Sequence, residues 1–337
     1  MPRFDALAQR ARLEGRWSGG AAEQGPDPST RAGFAPRARP FYRASVNPVV
    51  ETRFILQREL RKSFRSIKGV ILSLLTAAGG GGLALLFAQS DDIRQKQLHE
   101  KDISPEIFLE AKKKFFGWWF MDGPTGDHVG SAPGLLFFLF AVSLVLMPAV
   151  VLILGFDSVS AERQHKTVRY WTVRSRRSSY IIGKWLGLLV TCAIVALGMH
   201  VLIWIVCTAR GEAPFGQIVS WGFRFWLASL PILGMWCAVS IFISSLVRTP
   251  IIALLTTSSV FFVWWLFYFP FWIGAHGGNP EAGATAPRAI LYIFPNFYDR
   301  FILSPHIGPF LTGLAVCFGF AALVLTACSA LFAKRDV

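Results

Sequence analysis

Six long apolar stretches dominate this chain and decide what it can fold into. Each runs for about 20 residues or more, the length that an α-helix needs to cross the hydrocarbon core of a bilayer. The stretches are 69–88, 134–156, 183–208, 223–247, 251–273 and 308–333. The chain is also 53% hydrophobic, above the roughly 45–50% of ordinary soluble domains. We therefore predict an all-α polytopic membrane protein with six transmembrane helices.

Two basic segments precede the first span. Residues 1–50 are rich in Arg, Gly, Ala and Pro, with too little apolar content to offset the entropy of ordering, so we expect a disordered cytoplasmic tail. In 51–68, apolar residues recur at near-helical spacing opposite a basic face, which predicts an amphipathic elbow helix in the membrane interface. The alternative is a cytoplasmic extension of the first span. The charged residues singled out on this helix are Arg58, Glu59, Arg61 and Arg65.

The distribution of Lys and Arg predicts the orientation. Seven of them lie in the connector between the second and third spans, residues 157–184, and such basic segments stay in the cytoplasm. Both termini are then cytoplasmic, and the loops 89–133 and 274–307 are extracytoplasmic. The net charge of +14 does not predict nucleic-acid binding, because the basic residues lie between apolar runs instead of gathering on one solvated face. We expect a bacterial cytoplasmic membrane protein that contacts membrane lipids.

Local signals refine the loops and spans. Ser104, Pro105 and Glu106 predict the start of a short helix in the first outer loop, since they supply an N-cap, a first-turn proline and a first-turn acid. The run Gly79–Gly82 in the first span predicts close helix packing or a kink. The fifth span is unusually aromatic, which fits either packing and lipid contact or an amphipathic cargo.

The connector mixes charged, aromatic and helix-forming residues, among them, in order, Glu162, Thr167-Val168, Tyr170-Trp171, Arg176-Arg177 and Gly183-Lys184. In this order they resemble the corresponding connector of the type-2 export class of ABC transporter permeases. Weaker matches are Arg58-Glu59-Leu60-Arg61, Ser244–Pro250 and the C-terminal Leu331–Val337. Two residues depart from the family pattern: Lys166 stands where Gly is usual, and Ser175 where a proline is expected.

The resemblance implies that the connector, 157–182 with the start of the third span, acts as a coupling helix that docks a separate ATPase. Aromatic side chains are good interface anchors, and a basic rim steers an acidic partner surface. The basic residues equally fit topology and binding to anionic headgroups. The residues implied in coupling are Glu162, Arg163, Lys166, Thr167, Tyr170, Trp171, Arg174, Arg176, Arg177 and Lys184.

Enzymatic motifs are absent from the sequence. A P-loop needs G-x-x-x-x-G-K-[ST], and in this chain Gly183-Lys184 is followed by Trp185. We therefore expect a non-enzymatic chain without a metal or cofactor of its own, with ATP and Mg²⁺ on the partner. His200 is a titratable side chain deep in a span, and we expect it to be hydrogen-bonded within the bundle.

The leading hypothesis is the permease subunit of an ATP-driven exporter. It would pair with a second permease, identical or related, and with two copies of an ABC ATPase, and alternate access for a substrate that the sequence does not identify. Two alternatives stay open. One is a membrane scaffold that recruits cytoplasmic partners without moving cargo, and the other is a secondary transporter, which predicts charges at mid-membrane and repeat symmetry.

Overall fold

The computed structural model describes residues 47–67, most of 69–89, 105–170, 175–277 and 286–334. Regular structure in these ranges is helical. The helices, numbered in chain order, are α1 Pro48–Arg65, α2 Gly69–Gly82, α3 Pro105–Phe120, α4 Gly123–Gly130, α5 Gly134–Gly155, α6 Ser160–Gln164, α7 Arg177–Arg210, α8 Phe215–Leu246, α9 Pro250–Gly277, α10 Ala286–Leu291, a 3₁₀ turn Pro295–Tyr298, α11 Asp299–Ile302 and α12 Ile307–Lys334.

Five of these helices, α5, α7, α8, α9 and α12, are long and apolar enough to cross a membrane. The prediction of an all-α polytopic membrane protein is confirmed. The count of six spans stays a prediction, because the first predicted span contains the shorter apolar helix α2 and several of its residues lie outside the described ranges. The predicted disordered tail also lies outside them up to residue 46.

The helix ends follow local capping signals. Helix α1 begins at Pro48, within the predicted tail, because the Asn47 side chain accepts the Val49 N–H at 3.0 Å and proline suits the first turn. Helix α3 begins at Pro105, as the sequence predicts. Helix α7 has 34 residues and is therefore roughly 51 Å long, so it extends beyond a hydrocarbon core of about 30 Å.

Helix α8 forms the centre of the bundle. It packs against α5, α7 and α12, and most of it is buried, whereas α9 and α12 are largely exposed. Gly80 in the glycine run of α2 lies against Met199 of α7 so closely that a Cβ would collide with that side chain. The expected close packing is therefore present at this glycine. The exposed apolar faces of α9 and α12 are available to lipid or to another subunit.

The segment 286–302 contacts the C-terminal end of α3. Arg288 Nη2 donates a hydrogen bond to the Met121 carbonyl at 3.0 Å, and Arg300 Nη1 lies 3.4 Å from the Phe120 carbonyl. The last carbonyls of a helix have no partner within the helix, and cations near them are favourable. These contacts fix the segment 286–302 against α3.

Candidate functional site: a buried ion cluster at the connector end

Three charged side chains from separate elements form a buried ion cluster, which we define as Glu59 of α1, Glu162 of α6 and Lys184 of α7. Lys184 Nζ lies 2.7 Å from Glu162 Oε1 and 2.8 Å from Glu59 Oε1, and it donates to the Ser158 carbonyl at 2.9 Å. The exposed fractions are 1% for Lys184, 5% for Glu162 and 7% for Glu59. An ammonium group has three N–H donors, so these contacts satisfy all of them.

Two further side chains complete the surroundings of Glu162. The Tyr180 hydroxyl donates to Glu162 Oε2 at 2.8 Å, and Arg58 Nη1 lies 3.5 Å from Glu162 Oε1. Together the two carboxylates, Lys184 and Arg58 carry no net charge. Buried ion pairs are tolerated when the charges balance and the geometry is good, whereas loss of one partner leaves a charge uncompensated.

Two glycines allow α1 to approach α7 closely enough for these contacts. A Cβ at Gly183 would lie 2.8 Å from the Ile55 Cβ, and a Cβ at Gly187 would lie 2.6 Å from the Glu59 Cβ. Small residues four positions apart lie on one helix face. The Gly-Lys pair that opens the third span therefore combines a contact surface for the elbow helix with the cation of the cluster.

The end of α8 holds the connector from the other side. Ser244 Oγ accepts the N–H groups of Val159 and Ser160 at 3.0 and 3.1 Å, which are backbone donors at the start of α6. Arg163 Nη1 donates to the Ser245 carbonyl at 2.5 Å. Because the first N–H groups of a helix lack internal partners, these contacts attach α6 to the central helix.

The turn after α6 contains Lys166, one of the two departures from the family pattern. Lys166 has φ +57°, in the left-handed region that favours glycine and costs other residues free energy. Thr167 N–H and Thr167 Oγ1 donate to the Glu162 carbonyl at 2.9 and 3.2 Å and close the turn. The glycine usual at this position in the family is therefore suited to the backbone conformation that Lys166 adopts here.

The predicted site residues divide into three groups. Arg58, Glu59, Glu162 and Lys184 meet at the ion cluster, although the sequence placed them in separate segments. The others that the structure describes lie elsewhere on α1, the connector and the start of α7. Arg163 and Thr167 make the contacts given above, the Arg176 N–H lies 3.0 Å from Glu51 Oε2, and Arg177 Nη1 lies 3.2 Å from the Phe332 carbonyl. The exposed ones are Arg61, Arg65, Lys166 and Tyr170. Trp171 and Arg174 lie outside the described residues.

Sequence reasoning missed Tyr180, Ser158 and Ser244. A signal for Tyr180 was present, because Tyr180 and Lys184 are four residues apart and so share a helix face. Ser244 belongs to a segment that the family pattern includes. Its hydroxyl caps α6, whose first residue is 84 positions away in the chain, so no local sequence pattern indicates this contact. His200 Nδ1 lies 2.9 Å from the carbonyl of Ala196 on the same helix, and His200 Nε2 has no hydrogen-bond partner among the described residues. The hydrogen bond found is therefore within α7 and does not connect it to another helix.

The ion cluster connects three elements that lie apart in the sequence. The described residues bring together no group of three or more His, Cys, Asp and Glu that could hold a metal ion. The cluster instead joins the elbow helix, the connector and a long span through charged contacts. A displacement of the connector would therefore move the ends of α1 and α7 with it.

Comparison with known protein families gives a match over most of the chain. The model of the family described as ABC-2 family transporter protein matches residues 53–337. A search of curated proteins finds no match. The matched range contains the whole connector and all three residues of the ion cluster.

Proposed function

This chain belongs to the ABC-2 transporter family and is an ABC transporter permease subunit, and on that premise we propose that it serves an ATP-driven exporter of a bacterial cytoplasmic membrane. The connector docks a separate ATPase subunit, which binds ATP and Mg²⁺. Two ATPase copies and a second permease complete the transporter. Export as the direction of transport rests on the resemblance of the connector to the type-2 export class.

The ion cluster is the observation that carries this proposal. Lys184 contacts carboxylates from α1 and α6 at 2.8 and 2.7 Å, so the connector is tied to an elbow helix and a long span by charged hydrogen bonds. Bonds of this kind are short and stronger than neutral ones. Force applied to α6 by an ATPase would therefore reach the bundle without passing through a flexible joint.

The solvent-exposed side chains of the connector support docking. Tyr170 is 71% exposed, and Lys166 and Arg169 are exposed beside it. An exposed aromatic ring is costly in water and becomes favourable when an interface buries it, which is why aromatic residues are frequent anchors. The neighbouring cations would steer an acidic partner surface during encounter.

In the proposed cycle, binding and hydrolysis of ATP on the partner shift the bundle between inward-open and outward-open states. Glu162 and Lys184 keep the connector and α7 together during this shift. The residues of this chain transmit motion and do no covalent chemistry. The exposed faces of α9 and α12 are the candidate surfaces for the second permease.

The test measures how much ATPase co-purifies with the full chain from its native membrane, and this amount is the recovery. Tyr170→Ala should reduce recovery about tenfold, the effect typical of truncating an aromatic interface anchor. The matched control is Phe215→Ala, because Phe215 is 66% exposed at the far end of the bundle. ATP hydrolysis by the recovered complex is the second readout.

The proposal fails if no ATPase accompanies the wild-type chain. It also fails if Tyr170→Ala and Phe215→Ala recover equal amounts, since the connector would then not be the docking surface. A chain that recovers a partner without ATP hydrolysis would favour the scaffold alternative.

A further inference from the structure

Helix α3 carries apolar residues on two opposite faces. One face is buried in the bundle and holds Phe116 and Phe120, each 4% exposed. The residues on the opposite face are three or four positions apart, which places them in one row along the helix. We define this row as the exposed stripe: Ile107, Ala111, Phe115 and Trp118. A helix that buries one apolar face usually turns a polar face outward, so the exposed stripe indicates a second apolar contact.

The contacts of α3 fix the direction in which the exposed stripe points. A Cβ at Gly126 of α4 would collide with the backbone of Gly117 in α3, so the two helices touch closely. Lys112 Nζ donates a hydrogen bond to the carbonyl of Ala132, between α4 and α5. Rotation of α3 about its own axis would break these contacts. The exposed stripe therefore stays turned away from α4.

The contact with α5 places α3 at one boundary of the membrane. The ring centres of Phe116 and Phe137 are 4.0 Å apart, and Phe137 lies at the start of α5. Helix α5 has 22 residues and is roughly 33 Å long, close to the thickness of the hydrocarbon core, about 30 Å. Since α5 leads into the connector at its other end, α3 lies at the membrane surface opposite to the connector.

The contact with α9 indicates the same depth. The ring centre of Trp118 lies 6.0 Å from that of Trp272 and 4.5 Å from that of His276, and His276 Nε2 lies 3.2 Å from the Trp119 carbonyl. Helix α9 has 28 residues and is roughly 42 Å long, so its ends reach the headgroup regions. Because α9 is largely exposed, Trp118 continues the exposed apolar surface of this span at the depth of the headgroups.

The residue types at the exposed stripe suit the headgroup region of a lipid leaflet. Trp side chains settle at that depth because their rings are largely apolar but carry one N–H donor. Lys114 is exposed beside Phe115. A lysine can cover apolar surface with its stem while its ammonium group extends to phosphate. These residues therefore fit a surface that is apolar on one side and anionic on the other.

The size of the exposed stripe favours lipid over a second protein subunit. Ile107, Phe115 and Trp118 are 61%, 50% and 47% exposed. Because a whole aromatic side chain covers about 150–250 Å², the stripe offers on the order of 300 Å². A stable protein interface buries about 800 Å² on each partner. The stripe is too small for such an interface by itself, whereas insertion into a leaflet adds its area to that of the neighbouring spans.

We propose that α3 inserts the exposed stripe into the lipid leaflet on the side of the membrane opposite to the connector. The apolar side chains lie where headgroups meet acyl chains, and Lys114 contacts lipid phosphate. The segment 286–302 is attached to the end of α3 through Arg288 and Arg300, so the inserted helix anchors this segment at the membrane surface. The insertion does not depend on the docking of an ATPase.

The test uses a nitroxide spin label on Ala111→Cys in the full chain, reconstituted into vesicles of phosphatidylcholine and phosphatidylglycerol in equal amounts. Power saturation compares collisions of the label with oxygen, which dissolves in lipid, and with a nickel chelate, which stays in water. The oxygen-to-nickel collision ratio should lie between those of lipids labelled near the headgroup and in the acyl chain. The wild-type chain is the labelling blank, because its five cysteines are buried.

The matched control is Asp127→Cys, at an exposed position of α4, the helix that covers the other face of α3. Its collision ratio should be several times lower than that at Ala111. Phe115→Ser should lower the ratio measured at Ala111, and it should leave the bundle intact because the ring contacts of Phe115 are with α3 itself. If Ala111→Cys does not fold, as judged by its melting temperature, Lys114→Cys carries the label in its place.

Three outcomes would overturn the proposal. Nickel collisions as frequent at Ala111 as at Asp127 would show that the stripe faces water. Rare collisions with both oxygen and nickel would show that protein covers the stripe, and in vesicles that contain only this chain the cover is a second copy. A ratio at Ala111 that Phe115→Ser leaves unchanged would show that the apolar side chains do not hold the helix in the leaflet.

Discussion

Replacing Lys184 by Met should destabilise the protein far more than removing any exposed cation. The side chain is 1% exposed and contacts Glu59 and Glu162 within 2.8 Å. The change leaves two buried carboxylates with Arg58 as the remaining cation, 3.5 Å from Glu162. Breaking a buried ion pair costs about 3–5 kcal/mol. For a chain of this size, that corresponds to a loss of roughly 4–7 °C in melting temperature.

The assay is thermal unfolding of the purified full chain in detergent, followed by circular dichroism. Unfolding of membrane proteins is often irreversible, so the half-life at a fixed temperature is measured as well. The control is Lys62→Met, which removes an exposed Lys from α1 and should shift the melting temperature by no more than about 2 °C. Both variants lose one positive charge, so a difference between them reports burial.

A triple variant without the three buried charges sharpens the reasoning, and it leaves Arg58, whose side chain is 36% exposed, as a solvated cation. Glu59→Gln, Glu162→Gln and Lys184→Met together remove every charge of the ion cluster, and replacing all members of a buried ionic group is often neutral for stability. The triple variant should therefore recover most of the melting temperature that Lys184→Met loses. If Lys184→Met melts like Lys62→Met, or if the triple variant is less stable than Lys184→Met, the electrostatic account of the cluster is wrong.

The backbone geometry supports two more predictions. Gly187→Ala should lower the melting temperature by several degrees, because its Cβ would lie 2.6 Å from the Glu59 Cβ. The control is Gly198→Ala on the same helix, where an added Cβ has nothing within 4 Å and the melting temperature should not fall. Equal stability of the two variants would contradict the close approach of α1. Lys166→Gly should stabilise the protein by about 1 kcal/mol, since φ is +57° at this position. The reference variant is Lys166→Ala, which also removes the long side chain. If Lys166→Gly melts at a lower temperature than Lys166→Ala, the left-handed conformation is absent.

The sequence predicted the elements whose signals are local. Apolar length predicted the membrane helices, and the proline of Ser104-Pro105-Glu106 marked the start of α3. The coupling role of the connector, including Trp171 and Arg174, stays a prediction. A local pattern can predict the existence and type of an element, because helix length and capping depend on neighbouring residues.

The ion cluster could not be predicted from the sequence because it depends on contacts between distant segments. Glu59 and Lys184 are 125 residues apart, and the amphipathic pattern of α1 shows which face is apolar without showing what covers it. Gly183 and Gly187, with Lys184 between them, were the nearest available signal. They indicate a face of α7 that a second helix can approach, but they do not identify that helix as α1.

Helix α9 contacts both the connector and an aromatic cavity. It packs against α6 of the connector, and toward its C-terminal end Trp265, Tyr268 and Trp272 line a cavity of about 140 Å³. It is also largely exposed, so fewer packing contacts oppose its displacement than oppose that of the buried α8. Pro270 lies in the C-terminal part of α9. Because proline has no backbone N–H, one helical hydrogen bond is missing there and the helix can bend. A movement of the connector that shifted α9 would therefore also move the aromatic residues near the other end of the same helix.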